Sequence, residues 1–475
     1  MLTATFAVYF ILVFAIGWVA YRKTHDLSDY VLGGRRLGRW TTAISAGASD
    51  MSGWLLLGLP GYAYLAGFEA VWIALGLLTG TILNWIIVAP RLRVYSESCG
   101  NALTLSEYFE YRLKDGSHLL RYVCAFFILL FFLFYTASGL VAGGKLFESV
   151  FGLSYYWAVC IGAVAVLAYT SAGGFLAVSW TDLFQGLLML VALFVVAVTS
   201  LHQLGGWNAM VTGIDAINPA LSNVFQQTNG ETLSTISLIS LLGWGLGYFG
   251  QPHILARFMA IRSAGLIKDA CLIAATWSAL SLGAALIVGV SAIVYLPHAL
   301  AGAASEKVFI EMVQLLFHPV IAGICLAAIL AAIMSTADSQ LLVASSVVTE
   351  DFYKTFFKRS ASDKELVHIG RAAVIVISLI ALMLAMDPNR KVLDLVSYAW
   401  AGFGAAFGPV LILSLYWKKL TISGTIAGIA MGGGTVIIWS QLEGGIYDMY
   451  ELVPGFLISI ISACLTSLLS SYLKN

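Results

Sequence analysis

The sequence has few charged residues. Asp, Glu, Lys and Arg make up 11% of its 475 residues, whereas hydrophobic residues make up 60%. A soluble domain carries about 25% charged residues, so an ordinary water-exposed surface is excluded. The formal net charge is +0, which removes the electrostatic case for a nucleic-acid partner. The hydrophobic excess indicates an integral membrane protein whose main surroundings are the lipid bilayer.

Motifs for chemistry are also scarce. The six cysteines are scattered without a CxxC pair, which argues against a disulfide framework or a zinc site. Neither HExxH nor GxSxG occurs. The pattern Gly245-x-Gly247-x-x-Gly250 spells a dinucleotide fingerprint, but it lies in an apolar segment with no strand before it. We therefore expect that the protein is not an enzyme.

Long apolar runs dominate the chain. A transmembrane helix needs about 20 mostly apolar residues. The predicted spans are 3–21, 40–66, 70–90, 120–147, 156–176, 182–203, 233–256, 270–296, 319–348, 368–386, 392–416, 421–440 and 452–472. The first run lacks a basic region before it and a cleavage site after it, so we interpret it as a retained span. The sequence thus predicts an all-α membrane protein with about thirteen transmembrane helices.

The basic residues of the predicted loops indicate the orientation. With the N-terminus outside and the C-terminus inside, all but four of the 25 Lys and Arg residues fall on the inner side, Arg257 among them. The four on the outer side are Lys145, Lys307, Arg390 and Lys391. Because inner loops are enriched in Lys and Arg, this distribution predicts that orientation.

Two predicted spans are interrupted. Span 2 contains SAGASDMSGW at 45–54, and span 7 contains GWGLGYFGQP at 243–252. Close helix packing through small residues is the alternative explanation, but it does not account for Asp50. Unwound backbone survives in a bilayer where it is buried in protein or lines a cavity, so we expect both spans to be discontinuous and to form a site.

The two interrupted spans lie five apart and therefore cross the membrane in opposite directions. Spans 2–6 and 7–11 would form a five-plus-five inverted repeat, which is typical of transporters with a site between the halves. We divide the chain into a first span with its inner loop (1–34), two five-helix repeats (35–205 and 206–417) and two peripheral spans (418–475).

Three carboxylates fall in or beside apolar spans: Asp50, Asp182 and Asp338. A carboxylate at mid-membrane costs about 2.5–3.5 kcal/mol, so such residues are functional candidates. Asp182 begins predicted span 6, and its alternative role is that of a helix cap near the inner surface.

A cation site is predicted where span 9 faces the break in span 2. The hydroxyls of Ser335 and Thr336 share a helix face with the Ala332 carbonyl. Such hydroxyls often bond only within their own helix. Together with free carbonyls at Ala48 and Met51 they would supply uncharged oxygens, which suit a monovalent cation that must also leave.

A solute surface is predicted beside the breaks. Large aromatic side chains lie there, although ordinary packing would also explain them, and they are Trp54, Tyr135, Trp244 and Tyr248. Freed backbone amides near Ser52 and Gly53 would hold a carboxylate, as helix N-termini do.

Four long motifs carry a family resemblance that extends over essentially the whole chain: ASDMSGW at 48–54, FLAVSWTD at 175–182, GWGLGYFGQPH at 243–253 and SYAWAGFG at 397–404. They resemble the sodium:solute symporter family, in particular its proline-type members. The resemblance implies a LeuT-like inverted-repeat fold with thirteen spans, Na⁺ as the coupling ion and L-proline as the solute.

The resemblance also implies roles for individual residues. Sodium would bind Ala48, Met51, Ala332, Ser335 and Thr336, with Asp50 in support. The residues implied to line the proline pocket are Ser52, Gly53, Trp54, Tyr135, Trp244, Tyr248 and Pro252. Arg35 matches an arginine linked to coupling, and Asp182, Asp338 and Ser339 match a second sodium site of some relatives. Proline-type members are taken to couple one sodium ion.

We therefore expect sodium-coupled symport of L-proline by alternating access in a bacterial cell membrane, without an obligate protein partner. The alternative within this class is another small carboxylated solute such as pantothenate. An ion channel would need a repeated filter sequence or charged ring, and a receptor would need a signalling domain; the sequence shows neither.

Overall fold

The computed structural model describes residues 2–21, 32–170, 174–358 and 360–473. These residues form helices and two isolated β-bridges, with no strand among them. The α-helices are α1 Leu2–Tyr21, α2 Arg39–Asp50, α3 Leu59–Ala66, α4 Val71–Leu83, α5 Ala89–Ser98, α6 Leu105–Leu113, α7 Leu119–Phe151, α8 Tyr155–Thr170, α9 Phe175–Gln203, α10 Trp207–Ile217, α11 Thr235–Gly243, α12 Pro252–Ala260, α13 Ile267–Tyr295, α14 Val308–Leu316, α15 Pro319–Ser346, α16 Asp363–Leu384, α17 Val392–Tyr416, α18 Ile422–Trp439 and α19 Leu452–Tyr472.

Shorter helical segments of different pitch join or extend these helices. The 3₁₀ segments are Gly33–Arg35, Gly67–Ala70, Pro219–Ser222, Trp244–Gly250, Ala264–Leu266, Gly302–Lys307 and Gly445–Asp448. The π-helical segments are Trp54–Gly58, Asn84–Val88 and Val347–Phe357. Irregular pitch of this kind is frequent near functional sites, because it redirects backbone groups away from the regular hydrogen-bond ladder.

By length and composition, the described residues include nine helical stretches that are apolar enough to cross a membrane. Three shorter apolar helices, Thr3–Val19, Tyr155–Val166 and Thr235–Gly250, accompany them. The prediction of an all-helical, multi-spanning protein is confirmed. Four of the basic residues used to predict the orientation, Arg22, Lys23, Arg359 and Lys474, lie outside the described residues.

The two predicted breaks are confirmed and lie at the centre of the bundle. The chain leaves helical geometry after Asp50, and Trp244–Gly250 is a 3₁₀ segment between α11 and α12. Helix α2 packs against α9, α13 and α15, while the 3₁₀ segment packs against α4 and α17. Glycines permit that approach, because a Cβ on Gly80 would lie 2.1 Å from the Gly245 carbonyl oxygen.

The structure corrects the predicted environment of three residues. Asp182 does not begin a helix, since α9 starts at Phe175 and places the carboxylate two turns inside. Arg257 lies in α12 and is completely buried, whereas the sequence had suggested an inner loop. Lys145, which was counted on the outer side at the end of predicted span 4, lies buried in α7, which continues to Phe151. In each case the apolar run alone did not reveal the true end of the helix.

Candidate ion and solute site

The first break frees a backbone carbonyl. Met51 has φ −75° and ψ 74°, which is not helical. As a result the Ser52 amide donates to the Asp50 carbonyl at 2.8 Å, and not to Ala48 four residues back as a continuing helix would require. The Ala48 carbonyl therefore needs another partner inside the bundle.

The predicted cation ligands converge on this carbonyl. The Ser335 hydroxyl donates to the Ala48 oxygen at 2.8 Å and also lies 3.1 Å from the Ala332 oxygen. The Thr336 hydroxyl reaches the Ala48 oxygen at 3.3 Å. Met51, the remaining predicted ligand, is fully buried at the break itself. The structure thus gathers oxygens from Ala48, Ala332, Ser335 and Thr336 between α2 and α15.

Asp50 links the two breaks. The Tyr248 hydroxyl, from the 3₁₀ segment, donates to Asp50 Oδ2 at 2.7 Å. The Asp50 carbonyl accepts from the Tyr135 hydroxyl at 3.0 Å and from Trp54 Nε1 at 3.1 Å. Within the described chain the other carboxylate oxygen, Oδ1, has no hydrogen-bond partner. The interrupted helices, α7 and the aromatic residues therefore meet at one buried acid, two residues beyond Ala48.

Trp400 of α17, which was not among the predicted site residues, positions the second break. Its Nε1 donates to the Trp244 carbonyl at 2.8 Å, and its ring meets Tyr248 edge-on with centroids 4.9 Å apart. Gln251 adds bonds to the Gly247 and Trp400 carbonyls at 3.0 and 3.2 Å. The available signal was the tryptophan that stands between two alanines in the motif at 397–404.

The predicted solute residues divide among several environments. Trp244 lines a cavity of about 280 Å³ with Glu306, Asp394 and Ser397, a volume near the lower end for small-molecule sites, about 300 Å³. One face of Trp244 already stacks on Tyr450, with ring centroids 5.1 Å apart. The cavity therefore offers an aromatic wall beside charged groups.

Other predicted solute residues lie outside that cavity. Tyr248 and Asp50 line a small cavity of about 10 Å³, roughly the space of one water molecule. Pro252 lines a third cavity of about 20 Å³ towards α6. Gly53 faces α7, where an added Cβ would lie 2.7 Å from the Ala142 Cβ. The structure therefore does not bring the whole predicted set around one cavity.

The residues of the predicted second sodium site surround Arg257. Its Nη2 donates to Asp182 Oδ2 at 3.0 Å and to the Ser339 hydroxyl at 2.5 Å. Ser45 donates to the same Asp182 oxygen at 2.6 Å. Asp338 is near enough to influence Arg257 electrostatically. Arg257 was not predicted as a site residue because it falls just after predicted span 7, among the basic residues assigned to the inner side.

Arg35 ties several segments together at one end of the bundle. Its backbone is left-handed, with φ 53°. The guanidinium donates to Asn101 Oδ1, Ser96 Oγ and the carbonyls of Ala102 and Met259 at 2.6–3.1 Å. Burial, with a smaller contribution from Arg93, lowers the pKa of Arg35 to about 10. The arginine thus joins the α5–α6 connection to the end of α12.

Paired broken helices around buried carbonyls, hydroxyls and an acid, within a bundle of apolar helices, define a membrane transporter with a central site. The chain belongs to the sodium:solute symporter family, whose model matches residues 30–432. It is therefore a transporter and not an enzyme, and its coupling ion is sodium.

Named relatives match the chain over nearly its full length. A sodium/proline symporter of Salmonella typhimurium strain LT2 is 52% identical, covering 98% of this chain and 92% of the relative. A high-affinity proline transporter, PutP, of Bacillus subtilis strain 168 is 49% identical, covering 96% of this chain and 95% of the relative. A Na⁺-coupled sialic acid symporter in a substrate-bound outward-open state shares the fold with a TM-score of 0.79 at 20% identity, covering 98% of both chains.

Proposed function

We propose that the protein takes up L-proline into the bacterial cell with Na⁺ by alternating access. The observation that carries the proposal is the Ala48 carbonyl, which the first break frees and the hydroxyls of Ser335 and Thr336 meet. This cluster lies beside the Asp50–Tyr248 bond that joins both interrupted helices. The names of the two proline-transporting relatives support the choice of solute.

In this mechanism sodium binds among uncharged oxygens. Ala48, Met51 and Ala332 supply carbonyls, while Ser335 and Thr336 turn their lone pairs towards the ion. Asp50 contributes long-range attraction and, through Tyr248, transmits occupancy of the ion site to the second break. Uncharged ligands bind a monovalent ion weakly enough that it is released once the inner side opens.

Proline would bind on the aromatic side of the breaks. Trp244 and Tyr248 would offer ring surface to its apolar ring, with Tyr135 and Trp54 behind them. The Gly53 amide would face its carboxylate, whereas the Ser52 amide already donates to the Asp50 carbonyl in this structure. Pro252 at the start of α12 would contribute once the helices move, since it lines a different cavity in this structure.

We also propose thirteen spans, with inverted repeats at 35–205 and 206–417, the N-terminus outside and the C-terminus inside a bacterial inner membrane. The unequal distribution of basic residues between the two ends of the bundle supports this orientation. At one end Lys145 pairs with Glu306 and Lys307 pairs with Glu148. Arg35 belongs to the opposite, more basic end, which the positive-inside rule assigns to the cytoplasm.

The driving force suffices for concentrative uptake. One charge crossing 100 mV releases about 2.3 kcal/mol, and a tenfold sodium gradient adds about 1.4 kcal/mol. Because proline is a neutral zwitterion, one sodium ion per proline would support accumulation of roughly several hundredfold.

Uptake of radiolabelled proline into proteoliposomes tests the proposal. An inward sodium gradient should drive accumulation, whereas an equal potassium gradient should not. Excess unlabelled proline should abolish the signal and pantothenate should leave it unchanged. Competition by pantothenate but not by proline would overturn the choice of solute, and uptake without sodium would overturn the coupling.

A further inference from the structure

Arg257 lies among the residues that the family resemblance implies for a second sodium site, Asp182, Asp338 and Ser339. The guanidinium extends from α12 and is completely buried. It reaches α2 through Ser45 at 3.1 Å, α9 through Asp182 at 3.0 Å and α15 through Ser339 at 2.5 Å. It thus bonds to oxygens on three other helices.

These oxygens are the ones that a second small cation would need. A buried carboxylate with two neighbouring hydroxyls has the chemistry of a sodium site, because hard cations bind oxygen. Asp182 Oδ2 and the Ser339 hydroxyl oxygen, however, already accept from Arg257, and among the described residues only Asp182 Oδ1 of that carboxylate lacks a hydrogen-bond partner. A sodium ion at this place would have to displace the guanidinium or lie against a like charge in a poorly screened interior.

The guanidinium is also firmly held and permanently charged. Besides its bonds to the cluster, it donates to the His253 carbonyl at 3.0 Å and lies 4.9 Å from the centre of the Phe175 ring. Arginine keeps its proton in proteins, so this charge is present throughout the cycle. Removal of one partner from such a buried pair leaves the other charge uncompensated. Asp182 without Arg257 would therefore be neutralised by another cation, and a proton or a sodium ion could take that role.

We propose that Arg257 is a tethered cation that fills the second cation position of the transporter and thereby fixes the coupling at one sodium ion per solute. Neutralising Arg257 converts Asp182, Ser339 and Ser45 into a second sodium site. The inference rests on the proposed sodium-coupled uptake of proline and deepens it. The sequence around Asp182 supplies the anionic cage, and Arg257 decides what occupies the cage.

The first test measures the wild-type stoichiometry in proteoliposomes from the ratio of labelled sodium to labelled proline taken up. The ratio should be one, with a sodium Hill coefficient of one. A ratio of two would overturn the proposal without any variant, because it would mean that sodium enters despite the arginine.

The second test compares Arg257→Gln with the double variant Arg257→Gln/Asp182→Asn. The single variant should couple two sodium ions per proline and show a Hill coefficient that rises towards two. The double variant should return to one, because the anionic cage is gone. Arg91→Gln is the matched control: Arg91 contacts the Leu415 carbonyl and the Tyr416 ring, so its ratio should stay at one.

Sodium-dependent thermal unfolding of the purified protein provides a readout independent of uptake. Sodium chloride, compared with potassium chloride, should raise the melting temperature of Arg257→Gln more than that of the wild type or Arg257→Lys. Equal sodium effects in all three, or a ratio of one in an active Arg257→Gln, would overturn the inference. If the wild type takes up no proline with sodium, the proposed function fails, while the melting comparison still decides the inference.

Discussion

Replacing Ser335 with alanine removes one oxygen from the proposed sodium site and leaves the rest in place. The Ser335 side chain is fully buried, and its hydroxyl lies 2.8 Å from the Ala48 oxygen and 3.1 Å from the Ala332 oxygen. Alanine is a good helix former, so α15 should persist. The substitution therefore changes the supply of ligands to the ion and little of the backbone.

The magnitude follows from the loss of one polar partner at a buried site. An unsatisfied or missing partner costs about 1–3 kcal/mol, which corresponds to about 5–150-fold in a binding constant. We expect the sodium concentration for half-maximal proline uptake to rise by a factor in this range. Thr336→Ala should show a smaller rise, because its hydroxyl lies farther from the Ala48 oxygen, at 3.3 Å.

The assay is proline uptake in proteoliposomes across a series of sodium concentrations at constant ionic strength. Ser345→Ala is the matched control, since Ser345 is a buried serine of α15 whose hydroxyl donates to Leu342 of the same helix at 2.9 Å. Its sodium dependence should equal that of the wild type. If Ser335→Ala and Ser345→Ala shared one sodium dependence, Ser335 would not be a sodium ligand.

Three further substitutions examine the frame around the ion. Tyr248→Phe removes the hydroxyl that donates to Asp50 at 2.7 Å. Because hydrogen bonds to charged groups contribute about 1.5–3 kcal/mol, uptake kinetics should show weaker binding of both sodium and proline. Weaker binding of proline alone would contradict the role of Tyr248 in linking the two breaks. Gly247→Ala should destabilise the fold by about 1–3 kcal/mol and lower its melting temperature, because the added Cβ would lie 1.9 Å from Trp400 Nε1. An unchanged melting curve would show that the 3₁₀ segment and α17 can move apart at little cost. Arg35→Lys keeps the positive charge but loses the branched guanidinium that reaches the carbonyls of Ala102 and Met259. Turnover should therefore fall while equilibrium proline binding persists. An equal loss of turnover and binding would indicate a folding defect instead.

Much of the fold was predictable because the bilayer restricts the possible structures. Backbone groups in hydrocarbon must be satisfied internally, so long apolar runs become helices. The two breaks were predictable for the same reason, since clusters of glycine and polar residues inside such runs mark exceptions. Helix ends were less predictable. Helix α9 begins at Phe175, well before the expected start at 182, because its first residues are apolar and were counted partly with the preceding predicted span, 156–176.

The same distinction between local pattern and tertiary contact applies to the residues of the site. Ser335 and Thr336 were identifiable because hydroxyls beside Ala332 at helical spacing are a local pattern, and the structure places them at Ala48. The sequence could not pair Asp182 with Arg257, which lie 75 positions apart. Nor could it separate Pro252 from the cavity that Trp244 lines.

The sequence by itself determined the membrane environment, the helical class and the location of the two breaks, since these depend on local composition and on the solvent around each segment. The tertiary structure alone decided which buried charges neutralise one another and which residues share a cavity. The reason is physical: a guanidinium and a carboxylate attract over a few ångströms of space, whatever their separation along the chain. Arg257 was therefore predicted from the sequence to be a cation of an inner loop, whereas in the fold it is the ion-pair partner of Asp182.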